Sequence, residues 1–124
     1  MALTAALLAW QADIEKTAGI SLLVAKVNYD RSDNSFSLPD ETPRRELFAR
    51  HLADDNFRRE FSATYAMMVH QRAPGEAAFL VLLNGAREAE WGPHLEALLA
   101  HEFGHAWVKA QGYVTPVFIA NQWA

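Results

Sequence analysis

The distribution of apolar residues predicts an α+β fold, a small sheet packed against helices. Three observations carry this. Residues 20–29 (ISLLVAKVNY) are rich in branched residues and 77–83 (AAFLVLL) is a continuous apolar run, each of strand length. Four other segments space their apolar residues three and four apart, as a helix with one buried side does. Glycine, proline, asparagine and aspartate punctuate the joints.

The elements follow in order. Leu3, Leu7, Leu8, Trp10 and Ile14 lie at helical spacing, and Gly19 is a natural stop. After the strand at 20–29, the polar run Asp30 to Ser35 reads as a turn, with Phe36 and Leu38 on a short returning strand. Thr42 before Pro43 has the form of an N-cap with proline at the first helical position. The helix it opens turns Leu47, Phe48 and Leu52 inward. Asp54 or Asp55 caps the next helix, which carries Phe57, Phe61, Tyr65 and Met68 along one side until Ala73-Pro74-Gly75 ends it. The run AAFLVLL is expected to be a buried strand, and Asn84-Gly85 turns the chain. A last long helix is expected from about Pro93 to Gln111, with Gly112 as its C′ residue. No linker interrupts this order, so residues 1–124 read as a single domain.

Composition narrows the function. The chain has 124 residues, 51% hydrophobic and 21% charged, enough apolar material for one core. The absence of cysteine excludes disulfides, thiolate zinc sites, iron–sulfur clusters and a cysteine nucleophile. A net charge of −4 gives no reason to expect nucleic acid as a partner. The apolar start, MALTAALLAW, lacks the basic residues of a signal peptide and is broken by Asp13, Glu15 and Lys16. No run approaches the ~20 apolar residues of a membrane span. The expectation is a cytoplasmic protein with no membrane partner.

The chemistry lies in His101-Glu102-Phe103-Gly104-His105, a HExxH pattern. Residues four apart on a helix stand one turn apart on the same side, with Cβ atoms ~6 Å apart. Two imidazoles so placed can bind one Zn²⁺ at about 2.0–2.1 Å each. Glu102, a quarter-turn away, is near enough to take a proton from a zinc-activated water without ligating the metal. With five histidines and nine glutamates in the chain, chance produces this pattern with an expectation on the order of 0.01. The surrounding helix is apolar nearly all round (Leu95, Leu98, Leu99, Phe103, Ala106, Trp107, Ala110), so it is expected to be buried. Its polar residues then need partners, and a metal would serve all three. Gly104, in mid-helix, suggests close approach of another segment. The plainer alternative ties both histidines to backbone groups and pairs Glu102 with Lys109 or an arginine.

A strand followed by a HExxH helix resembles the zincin metallopeptidases, in particular small gluzincin-type enzymes and the ImmA/IrrE-like compact peptidases. The resemblance covers roughly residues 77–124. It implies a zincin-like fold with a central active-site helix, His101 and His105 as Zn²⁺ ligands, Glu102 as general base, and a peptide or protein substrate. It also implies that AAFLVLL lies near the active-site helix, and that an edge strand of the sheet holds substrate by backbone pairing.

The chain departs from that family in its third ligand. Nineteen residues follow His105, and none is His, Asp, Glu or Cys. The metzincin extension would need glycine at Val108 and histidine at Gln111. In gluzincins the third ligand is a glutamate on a second helix. Thr115-Pro116 has the form of that helix's start, and IANQWA resembles its EANxFA-type stretch, yet Ile119 stands at the ligand position. The sequence leaves four ways out: a ligand beyond Ala124 in a longer protein, an upstream residue, a second subunit in a homodimer, or loss of zinc and activity. The first and third are favoured, because an apolar half-helix is a poor free terminus. His94 is two turns from His101, ~10 Å along the axis. His51, His70, Asp54, Glu88 and Glu90 could approach only through tertiary folding. Tyr113 could offer an oxyanion-stabilising hydroxyl, or simply pack against its own helix.

The five arginines at 44, 45, 50, 58 and 59 are interleaved with Glu46, Asp54 and Asp55, which reads as a solvated face rather than a nucleic-acid patch. No nucleophile elbow or phosphate-binding loop is present. The tryptophans and phenylalanines read as core. The expectation is therefore a zinc-dependent peptidase-like hydrolase. The alternative is a non-catalytic zincin-like module that binds a peptide or protein partner.

Overall fold

A computed structural model describes residues 3–114. The fold is α+β, with a mixed four-stranded sheet in the order β2-β1-β4-β3. The strands are β1 (Ser21–Asp30), β2 (Ser35–Ser37), β3 (Ala66–Gln71) and β4 (Ala78–Asn84). The principal helices are α1 (Ala5–Ala18), α2 (Arg45–Leu52), α3 (Asp55–Ser62) and α5 (Leu95–Val114), with a short turn α4 (Glu88–Trp91) before the last.

β4 is buried at every position because it is central and covered on both faces. It runs parallel to β1, with Leu22 opposite Phe79, and antiparallel to β3, with Met68 opposite Val81. Alternation along β4 divides the core in two. Phe79, Val81 and Leu83 pack with Leu7 and Ile14 of α1 and with Leu99, Phe103 and Ala106 of α5. Ala78, Leu80 and Leu82 pack with Leu47, Phe48, Leu52 and Phe61 from α2 and α3. The expected α+β sheet is thus sandwiched between two helical layers. Among the described residues, no helix is long and apolar enough to cross a membrane.

Most elements fall where the sequence places them. Gly19 ends α1 at φ 73°, a left-handed conformation that glycine adopts without strain. Asp54 caps α3, accepting from Phe57 N. Leu8, part of the apolar stripe expected of α1, is half exposed.

Four expectations are corrected. Thr42 does not cap α2. Its N–H donates to Pro39 O in a turn, and the chain enters the helix through Arg44 at φ 51°, with no side-chain cap. The helix expected to carry Phe57 through Met68 stops at Ser62, and residues 66–71 form β3 instead. α5 runs through Gly112, which does not act as a C′ residue. Finally, α5 is buried on one side only: Leu99, Phe103, Ala106 and Ala110 face the core, whereas His101, His105, Val108 and Lys109 are exposed. The expected helix from Thr115-Pro116, Ile119, the IANQWA stretch and the side chain of Tyr113 lie outside the described residues.

The end of α3 has an identifiable cause. Asn84, fully buried at the end of β4, donates its amide to Phe61 O at 3.1 Å and Thr64 O at 2.8 Å. Its Oδ1 accepts from Ala86 N, and its backbone N–H donates to Tyr65 O. These bonds take up the carbonyls at the helix end and lay the next residues along β4. Gly85 is required for a different reason: a Cβ there would stand 2.1 Å from Val27 O.

Candidate functional site

α5 sets the site's spacing. His101 and His105 project from one side of the helix, and their Nε2 atoms are 3.1 Å apart, with the rings nearly perpendicular at 86°. One ring therefore donates and the other accepts, so at least one imidazole is neutral in this arrangement. Two nitrogens 3.1 Å apart, each at a Zn–N distance of about 2.0–2.1 Å, subtend roughly 95–100° at a shared ion. An opening of ~0.3 Å reaches the tetrahedral angle, so the Nε2 separation is compatible with a shared ion.

Glu102, about 100° round the helix from His101, borders the same cleft and is buried at 6% exposure. Burial pushes its carboxyl above its ordinary value, opposed in part by His105 and then His101. No hydrogen bond or ion pair joins it to another described residue, neither to Lys109 nor to an arginine. A carboxylate so held is a stronger proton acceptor than an exposed one.

The three residues border a cleft of about 490 Å³, whose other wall is β3 through Ala66, Met67 and Met68. Val108 and Lys109 extend it along α5. β3 is the outer strand at this end of the sheet. The strand beside the histidines is therefore β3. AAFLVLL is interior and shares only the core beneath them.

The other candidate ligands are engaged elsewhere. His51 Nε2 is 2.7 Å from Gln71 Oε1 and its ring leans on Phe57. His70 packs against Phe79 and its Nδ1 accepts from Arg72 Nε at 3.2 Å. Asp54 is spent on its cap, Glu88 on Lys26 and Glu90 on Arg87. His94 is exposed in the turn before α5. Among the described residues, no three His, Cys, Asp or Glu side chains form a group that could hold one ion. Gly104 has no close neighbour: an added Cβ would meet Trp10 Cη2 at 3.8 Å, an ordinary contact. In the arginine segment, Arg50 pairs with Glu76 at 2.6 Å, and Arg58 pairs with Asp55 and donates to Leu52 O.

Sequence reasoning missed the strand wall, read Asn84 only as a turn residue, and gave Lys109 no place in the cleft. A signal for Lys109 was available, since it stands four residues past His105 and so shares its side of the helix. Comparisons with protein-family models, curated proteins and solved structures find no match.

Proposed function

We propose that this chain is a zinc-dependent peptide hydrolase of the zincin kind. The observation that carries the reading is the 3.1 Å convergence of His101 Nε2 and His105 Nε2 beside a buried carboxylate. In this reading His101 and His105 hold Zn²⁺, which when bound supplies Lewis acidity toward a peptide carbonyl. Glu102 takes the proton of the attacking water and returns it to the leaving amine, a role favoured by its raised proton affinity. The outer edge of β3 offers backbone N–H and C=O groups to an extended peptide, which brings the scissile carbonyl alongside the histidines.

One observation favours a second reading. Catalytic zinc takes three protein donors, and the described residues supply two. A module with this cleft could bind a peptide without cutting it.

Metal analysis and peptide cleavage separate the two. Protein purified without chelator is expected to carry close to one zinc, lost in His101→Ala and in His105→Ala. Wild type is expected to cleave a peptide mixture, and Glu102→Gln to retain metal but not cleave. Zinc-free protein, or identical cleavage profiles for wild type and Glu102→Gln, would overturn the hydrolase. Peptide binding without cleavage would establish the second reading.

A further inference from the structure

We infer that the cleft selects a peptide with an acidic side chain one to two residues from the reacting carbonyl, and that Lys109 and Arg72 recognise it. This rests on the hydrolase reading and names its substrate class. Lys109 lines the cleft one helical turn past His105 and is exposed. Lys109 and Arg72 have no carboxylate partner among the described residues, a condition they share with Lys16, Arg31, Arg44, Arg45 and Arg59, and of these Lys109 is the one that lines the cleft. Arg72 follows directly on β3, and its Nε donates back to His70 Nδ1 at 3.2 Å. His70 shares the α5-facing side of β3 with Ala66 and Met68 and packs on Phe79 of that layer, so Arg72 stands just past the strand that walls the cleft, on the side of α5.

The spacing sets where the acid falls. A turn of helix separates Lys109 from His105 by ~6 Å, and an extended chain advances ~3.3 Å per residue, so the carboxylate stands one to two residues from the carbonyl beside the histidines. The carboxylate bordering the cleft, Glu102, stands two turns before Lys109 on α5, ~10 Å along the axis, so the two mark opposite ends of the cleft. The chain as a whole carries −4, so the positive end is a local feature that an anionic ligand finds against a repelling background. Val108, 70% exposed, gives the neighbouring substrate position an apolar contact.

The test uses matched peptides with an apolar centre, carrying Glu, Gln or Lys at successive flanking positions, read by mass spectrometry. Wild type is expected to cleave the best Glu peptides about three- to tenfold more efficiently than their Lys counterparts, through KM, with the ratio shrinking as salt is raised. Lys109→Glu with Arg72→Glu, checked for folding by circular dichroism, is expected to invert the order. Cleavage without a charge preference, or a preference the double variant leaves unchanged, overturns the inference and leaves the hydrolase standing. If no peptide is cut, binding of the same peptides by fluorescence anisotropy decides. Tighter binding of the Glu peptides, inverted in the double variant, upholds the selectivity while the hydrolase fails, and equal or absent binding overturns both.

Discussion

Replacing Asn84 tests whether one buried amide ends α3 and lays down the strand that walls the cleft. In Asn84→Ala, Thr64 O loses the amide that bonds it at 2.8 Å, whereas Phe61 O keeps the backbone and hydroxyl of Thr64. One orphaned, part-buried carbonyl costs about 1–3 kcal/mol. Loss of the Oδ1 cap on Ala86 N adds about 1 kcal/mol. The sum is about 3 kcal/mol, or roughly 10–15 °C in Tm for a domain of this size. Asn84→Asp keeps the cap oxygen but turns an acceptor, and a buried charge, toward two carbonyls, so its loss is expected to exceed that of alanine. That deficit should shrink under acid, because a protonated aspartate regains a donor. Urea titration followed by circular dichroism at pH 7 and pH 4 reads all three proteins. An Asn84→Asp protein as stable as wild type at pH 7 would refute the role given to the amide.

Other perturbations give outcomes of either sign. Gly85→Ala is expected to cost about 3 kcal/mol, since its Cβ would lie 2.1 Å from Val27 O and one of two backbones must shift; thermal melting measures it. Gly104→Ala is expected to stabilise by about 1 kcal/mol, because the helix gains propensity and Trp10 leaves room for a methyl; a lower Tm would contradict this. Glu102 should make metal-free protein less stable at neutral pH. Its folded-state pKa is raised, so the folded protein holds the proton longer than the unfolded chain, and stability falls as pH rises from the ordinary carboxylate range through the raised value. Glu102→Gln with chelator present is expected to be more stable than wild type at pH 7 and to lose this part of the pH dependence, checked by denaturant titration across pH.

The limits of sequence legibility follow from the range of the forces involved. The helical stripe 57-61-65-68 is genuine, yet it is broken where Asn84, far along the chain, captures the carbonyls at 61 and 64. Ala66, Met67 and Met68 carry no β-branched alternation to announce a strand, and pairing with Val81, Leu82 and Leu83 makes them one. Similarly, the apolar count around α5 suggested burial on all sides. The sheet covers only one side, which leaves the histidines open and Glu102 enclosed.

By itself, the sequence determined what depends on short-range geometry. It set the termination of α1 at Gly19, the Asp54 cap, the two apolar strands, and the one-turn spacing that sets His101 beside His105, because these follow from backbone sterics and the 3.6-residue period. Tertiary structure decided which side of α5 meets solvent, that β3 exists at all, and that Lys109 borders a cleft walled by that strand. Those outcomes depend on burial and on hydrogen bonds between residues distant in the chain, whose partners only the folded core brings within reach.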